Sequence, residues 1–147
     1  MQLTSPAFQN GGKIPSKYAC DGENVNPRLD IVSVPDGAKS LVLIVDDPDS
    51  PSGNWLHWSV WNIDPKIKFI EEGKMPTGAS EGVTDFRSVG YGGPCPGQGA
   101  HRYQFTIYAL DNVLDLPTGA KRDELEAAMA GYIIEQAKLV GIYKRNL

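Results

Sequence analysis

The hydrophobic and polar positions of this chain alternate in short runs, which is the spacing of β-strands. The clearest run covers residues 101–110, where the odd-numbered positions share one face of the predicted strand: His101, Tyr103, Phe105, Ile107 and Ala109. Residues 40–46 are apolar at almost every position and rich in β-branched side chains. We therefore expect a central strand there, covered on both faces.

Turn-forming residues separate the other predicted elements. Shorter strands are predicted at 13–15, 29–32, 55–63 and 69–70, and the 64–88 segment is otherwise a long covering loop. One helix is predicted over 123–130, ended by Gly131. The final segment, 132–145, has apolar residues at both helical and strand spacing, and we place only a short strand at 141–144. The sum predicts a mainly β fold, an antiparallel β-sandwich forming one domain over residues 1–147.

Charge and hydropathy exclude several classes of protein. The chain has 147 residues and a formal net charge of -4, with no run of Lys or Arg, so we expect no nucleic-acid partner. No window approaches the ~18 apolar residues of a membrane span, and the first residues do not resemble a signal peptide. These features predict a cytoplasmic protein without a membrane span.

The two cysteines, Cys20 and Cys95, form no C-x-x-C motif. They are too few for a disulfide scaffold. In a reducing cytoplasm we expect free thiols, with a disulfide between them as the alternative.

Candidate chemistry gathers where the glycine- and proline-rich loop 89–100 meets the strand that starts at His101. Glycine and proline prevent a helix there, and loop amides without regular partners suit small anions. The structural alternative is a wide turn with His101 merely at the start of the strand. Asp47 ends the core face of the 40–46 strand in the same manner.

His57 lies in a strand that also carries three tryptophans, so aromatic packing is the default explanation for that segment. A hairpin would bring His57 within reach of Asp47, and a neighbouring carboxylate would favour the imidazolium. A positive charge on His57 would attract an anion. Asp49 is expected to stabilise a turn or form an ion pair.

Four motifs occur in a specific order: Asp-Pro-Asp-Ser-Pro at 47–51, His-Trp at 57–58, Gly-Tyr-Gly-Gly-Pro-Cys-Pro at 90–96, and His-Arg-Tyr at 101–103. With them the chain resembles the phosphatidylethanolamine-binding protein family, in its compact prokaryotic branch, often called Raf kinase inhibitor-like. The resemblance extends over nearly the whole chain. It departs from the family pattern at Gly97, where a second proline usually follows Pro96.

The resemblance implies a Greek-key β-sandwich with a pocket for phosphate or a phosphorylethanolamine-like head group. Carried over to this chain, the ligand-binding residues would be Asp47, Pro51, Trp55, His57, Gly93, Pro94, His101 and Tyr103. Arg102 faces away from His101 by strand alternation, so we expect it to pair with Asp49 behind the pocket and pin two loops together.

The leading hypothesis is non-enzymatic binding of a small anionic or phosphorylated ligand, with no cofactor and no metal. His57 and His101 would supply positive charge when protonated, and Asp47 would orient one of them. The alternative is an inhibitor of kinases or serine proteases that acts through the 64–88 segment. A minor alternative is a metal-dependent enzyme using both histidines and Asp47, although their spacing supports no known metal motif. The resemblance and exposed aromatic residues also suggest a homodimer.

Overall fold

The apolar run Ser40–Asp47 forms the central strand of a five-stranded antiparallel sheet, and all eight of its residues are buried. The structure is a computed structural model that describes residues 1–145. Its strands are β1 (Gln2–Thr4), β2 (Leu29–Val32), β3 (Ser40–Asp47), β4 (Trp55–Ile63), β5 (Phe69–Ile70), β6 (Ser80–Glu81), β7 (His101–Leu110) and β8 (Ile133–Tyr143). Helix α1 covers Arg122–Met129, and a 3-10 turn covers Ser16–Tyr18.

The strands divide into two sheets. The large sheet has the order β6-β4-β3-β7-β8 and the small one the order β1-β2-β5. Every strand pair within them is antiparallel. The central strand β3 thus pairs with β4, which follows it in the chain, and with β7, which comes much later. The expected mainly β fold, a Greek-key antiparallel sandwich with one helix near the C-terminus, is confirmed.

Strand alternation in β3 divides the interior into two cores. Leu43 and Val45 face the core between the two sheets. Val42 and Ile44 face the other core, where the large sheet packs against Leu125 of helix α1. Asp46 and Asp47 end β3 and continue this alternation, so two adjacent carboxylates leave the sheet on opposite sides.

The C-terminal segment differs from its prediction. The structure shows the long strand β8 over Ile133–Tyr143 in place of a short strand at 141–144. It pairs with β7 over almost its entire length, and this tertiary pairing overrides the local helical spacing. Gly131 follows helix α1 with a φ of 86°, a left-handed conformation that ends the helix as predicted.

Three short elements also differ from the prediction. Residues 13–15 form only a single bridge, between Lys13 and Ile142, instead of a strand. Strands β1 and β6, of three and two residues, were not predicted because so few residues show no periodicity. The 64–88 loop is otherwise as expected, with the short strand β5 at Phe69–Ile70.

The cysteines correct another expectation. Cys20 and Cys95 form a disulfide with Cα atoms 5.4 Å apart, so the prediction of free thiols is wrong. The loop that carries Cys95 lies directly against the 18–20 backbone: a Cβ on Gly93 would overlap the Tyr18 carbonyl oxygen, and the Cys20 N–H donates to the Pro94 carbonyl at 3.0 Å. This contact depends on the course of two loops and leaves no local signal in the sequence.

No helix within residues 1–145 is long and apolar enough to cross a membrane.

Candidate functional site

A cavity of about 260 Å³ opens where the end of β3, the start of β7 and the glycine-proline loop meet. Its lining contains six of the residues expected at the site: Asp47, Pro51, Trp55, His57, His101 and Tyr103. Residues not predicted complete the wall: Ser50, Ser52, Phe86, Cys95, Pro96 and Gly97. The structure therefore gathers residues from five segments around one small space: the end of β3 with its loop, β4, the 64–88 loop, the glycine-proline loop and β7.

Asp47 and His101 form a hydrogen-bonded pair in this cavity. The ring nitrogen Nδ1 of His101 lies 2.7 Å from Oδ2 of Asp47, and both side chains are largely buried. The other carboxylate oxygen, Oδ1, accepts the backbone N–H of Asp49 at 2.8 Å. Because Asp47 accepts the Nδ1 hydrogen, it fixes the orientation of the His101 ring.

His57 departs from its prediction, because its partner is Gly92 and not Asp47. The Nδ1–H of His57 donates to the Gly92 carbonyl at 2.7 Å, and the Gly92 N–H donates to the His57 carbonyl at 2.9 Å. Burial lowers the pKa of His57, and the Gly92 carbonyl and the Asp47 carboxylate only partly oppose this effect. The direction of this shift favours the neutral ring at pH 7, in contrast to the expectation that His57 supplies positive charge.

A β-bulge explains the placement of His57. Val45 pairs with Trp58 and Asp46 pairs with Leu56, so the β3–β4 ladder skips His57. The extra residue reverses the alternation, because Trp58 lies in the core between the sheets while Leu56 lies in the core under the helix. His57 therefore faces the cavity, whereas under strict alternation it would point to the other face of the sheet.

Tyr103 brings a hydroxyl into the cavity wall. The residue is 0% exposed, and its oxygen Oη makes no hydrogen bond of good geometry among residues 1–145, although the Asp47 carboxylate and the Cys95 backbone lie near it. Burial, reinforced by the nearby Asp47 carboxylate, raises the pKa of Tyr103 far above its usual value, so the hydroxyl keeps its hydrogen at neutral pH. A buried hydroxyl without a partner costs about 1–3 kcal/mol, which a ligand that accepts its hydrogen would recover.

Aromatic rings form the apolar wall of the cavity. Phe86 packs edge-on against Trp55, with ring centroids 5.6 Å apart, and against His57, at 5.2 Å. Such edge-to-face contacts hold the rings in fixed orientations. Phe86 belongs to the 64–88 loop, where its position has no periodic pattern, so sequence reasoning gave no reason to select it.

Gly93 and Pro94 were expected in the ligand site but do not belong to the cavity lining. The N–H of Gly93 donates to the Asn24 side chain at 2.8 Å, and the carbonyl of Pro94 accepts the N–H of Cys20 at 3.0 Å. Both polar groups are therefore used to attach the loop to the 18–24 segment.

The ion pair expected between Arg102 and Asp49 is present. The guanidinium binds the carboxylate in a bidentate manner, at 2.9 Å from Nε and 2.7 Å from Nη2, and the Arg102 N–H adds a third hydrogen bond at 2.9 Å. These bonds hold the pKa of Asp49 well below its usual range. The pair ties the loop after β3 to the start of β7, next to Asp47 and His101.

The proposed metal arrangement has no geometric basis in the part of the chain described. No group of three His, Cys, Asp or Glu side chains within residues 1–145 is placed to hold a metal ion. His57 and His101 are engaged by different partners, Gly92 and Asp47.

Comparison with known proteins agrees with this fold and cavity. A sequence model described as phosphatidylethanolamine-binding protein matches residues 4–144, so the chain belongs to that family. It is 49% identical to the UPF0098 protein of Methanothermobacter thermautotrophicus, with 99% of this chain and 100% of the relative aligned.

Two crystal structures are similar over nearly the whole chain. A phosphatidylethanolamine-binding protein homologue of Chlamydia trachomatis, CT736, superposes with a TM-score of 0.95 at 44% identity, covering 99% of this chain and 97% of that one. Escherichia coli YbcL, described as a new member of the mammalian family, superposes with a TM-score of 0.91 at 30% identity, covering 99% and 98%. The family assignment made from the four sequence motifs is therefore confirmed.

Proposed function

We propose that this protein binds a small phosphate monoester, such as a phosphorylethanolamine-like head group, in the cavity at Asp47, His101 and Tyr103, without chemical conversion of the ligand. The unpartnered hydroxyl of Tyr103 is the observation that carries the proposal. It lies in the lining of a cavity that also holds the Asp47–His101 pair. A phosphate oxygen is a strong acceptor and matches both a hydroxyl donor and an imidazolium.

The division of roles between the two histidines supports a monoester over a simple divalent anion. His101 uses Nδ1 for the Asp47 carboxylate, at 2.7 Å. Neutral His57 uses Nδ1 for Gly92, which leaves Nε2 as an acceptor. An acceptor beside an anion site favours a ligand that also carries a hydrogen donor, such as a protonated phosphate oxygen or an ammonium group.

The dimensions of the cavity limit the ligand. A volume of about 260 Å³ lies below the range of roughly 300–1,000 Å³ typical of drug-sized sites. It suits a head group, and acyl chains would remain outside. The apolar wall of Trp55 and Phe86 contacts the non-polar part of such a ligand and excludes water from it.

The test is a calorimetric titration with phosphorylethanolamine and, separately, inorganic phosphate. Tyr103→Phe removes the unpartnered hydroxyl and should weaken phosphorylethanolamine binding by about tenfold, the effect of losing one hydrogen bond to a charged group. Tyr108→Phe is the matched control, because Tyr108 lies on the other face of β7, against the core under the helix. Its affinity should equal that of the unchanged protein.

Histidine resonances provide a second measurement during the same titration. Saturable shifts at both His57 and His101 are expected, because both rings line the cavity. Binding that Tyr103→Phe leaves unchanged, or the absence of shifts at both rings, would refute the proposed site. Three expectations stay predictions: inhibition of a kinase or serine protease through residues 64–88, a cytoplasmic location and a homodimer.

A further inference from the structure

The disulfide between Cys20 and Cys95 lies at the wall of the cavity. Cys95 belongs to the cavity lining, and both bonded cysteine residues are partly exposed. The guanidinium of Arg145 lies beside the two sulfur atoms. Its Nη1 is 3.5 Å from Sγ of Cys95 and 3.9 Å from Sγ of Cys20.

A cation at this position affects thiol chemistry. Opening a disulfide releases one sulfur as a thiolate, and a neighbouring positive charge stabilises that thiolate and speeds its departure. Arg145 is closer to Cys95, so Cys95 is the better leaving sulfur. Attack is then expected at the other sulfur, that of Cys20.

We propose that the Cys20–Cys95 bond is a thiol-exchange site, opened by low-molecular-weight thiols at Cys20 with Arg145 stabilising the Cys95 thiolate. The attacking thiolate forms a bond to Sγ of Cys20 while the Cys20–Cys95 bond breaks. The electron pair of the broken bond stays on Sγ of Cys95. A second thiol molecule then displaces Cys20 from the mixed disulfide. In total, two thiols are oxidised to one small disulfide, and two cysteine thiols are produced.

The exchange has a structural consequence at the cavity, and this part rests on the proposed function. Residues 91–94 stay attached without the disulfide, because Tyr91 donates to the Tyr18 carbonyl and Gly93 to Asn24. The next stretch, 96–100, makes no backbone hydrogen bond within residues 1–145. Opening the disulfide would therefore release Pro96 and Gly97, which line the cavity.

The first experiment follows the exchange chemistry by mass spectrometry. Native protein is treated with glutathione, quenched with N-ethylmaleimide after short times and digested with trypsin. The cysteines fall in different tryptic peptides, 18–28 for Cys20 and 88–102 for Cys95. We expect glutathione on the first peptide and N-ethylmaleimide on the second.

Variants of Arg145 test the role of its charge. Arg145→Gln should slow the opening by about three- to tenfold, since the departing thiolate loses its cation. Arg145→Lys keeps the charge and should retain most of the rate. Lys138→Gln is the control, because it removes an exposed positive charge from β8 away from the sulfur atoms. Glutathione on Cys95, or an Arg145→Gln rate equal to that of Lys138→Gln, would overturn the proposal.

The second experiment compares phosphorylethanolamine binding to oxidised and dithiothreitol-reduced protein. The reduced form should bind about three- to tenfold more weakly, because the released wall must be ordered again on binding. Equal affinities of the two forms would disprove the coupling while leaving the proposed function intact. No binding to the oxidised form would overturn the coupling together with the proposed function, and the exchange chemistry would still be decided by the first experiment.

Discussion

Asp46 and Asp47 are neighbours in β3, yet they belong to different regions of the molecule. Asp46 lies on the helix side, where its Oδ2 accepts hydrogen bonds from Arg122 at 2.5 Å and from Asn54 at 2.9 Å. Asp47 lies on the cavity side, where its partner is His101. Two identical side chains, both nearly buried, thus face a permanent cation in one case and a titratable ring in the other.

The difference separates a structural pairing from a binding arrangement. Arg122 stays charged at all ordinary pH values, so it compensates Asp46 permanently and joins helix α1 to the sheet. His101 can exchange its proton, and it lines a cavity together with an unpartnered hydroxyl. We therefore expect changes on the helix side to affect stability and changes on the cavity side to affect ligand binding.

The largest effect should come from the helix side. Arg122→Met leaves the Asp46 carboxylate buried without its cation, and Oδ1 of Asp46 already has no hydrogen-bond partner within residues 1–145. The free energy of unfolding should fall by about 2–3 kcal/mol, below the usual cost of a fully buried pair because Arg122 is partly exposed. Urea denaturation measures this change, and phosphorylethanolamine affinity should stay within about twofold of the unchanged protein.

An exposed ion pair provides the control for that variant. Arg28 pairs with Asp30 while 45% of its side chain remains exposed. Arg28→Met should lower the unfolding free energy by less than about 1 kcal/mol. Equal losses for Arg28→Met and Arg122→Met would show that burial of Asp46 contributes nothing special to stability.

On the cavity side we expect a smaller effect, which falls on ligand affinity more than on stability. His101→Gln keeps an amide that can donate to Asp47 but removes the imidazole ring that lines the cavity. Phosphorylethanolamine affinity should fall by about tenfold, or roughly 1.4 kcal/mol, while the unfolding free energy changes less than it does in Arg122→Met. Calorimetry and urea denaturation measure the two quantities. Unchanged affinity with a large loss of stability would reverse the assignment of roles.

The smallest predicted effect concerns the pH dependence of stability. Since burial lowers the pKa of His57, the unfolded chain binds this proton more readily than the native protein does. The His57 contribution is complete above the ordinary histidine pKa and is lost progressively over the acidic interval below it. His57→Gln should flatten the measured loss of unfolding free energy over that interval. The same slope in both proteins would contradict a neutral, buried His57.

The sequence predicted those parts of the fold that depend on local pattern. Strands β3, β4 and β7 were predicted because each has eight or more residues with a clear pattern: a continuous apolar run in β3, an aromatic-rich run in β4 and alternation in β7. Strand β8 was mostly missed because its apolar residues also fit a helix, and only pairing with β7 decides between the two. The disulfide was missed because it depends on two loops that meet in space.

The residues of the candidate site also separate into those that local pattern predicts and those that only the tertiary structure places. The ion pair of Arg102 with Asp49 followed from strand alternation, which places Arg102 away from His101. The pairing of Asp47 with His101 instead of His57 could not be predicted, since the bulge at His57 changes its direction and leaves no sequence signature. Phe86 was missed because only the return of the 64–88 loop brings its ring to His57.

The disulfide also makes part of the chain a covalent ring. Cys20 and Cys95 are 75 residues apart, and the ring they close contains five strands, β2 to β6. A protease that cuts an exposed turn inside it, such as Ser52–Gly53, would open the ring without releasing a fragment. The nicked protein would migrate as one chain until a reductant separated its two pieces, so surface cleavage in this half of the molecule would be hidden under oxidising conditions.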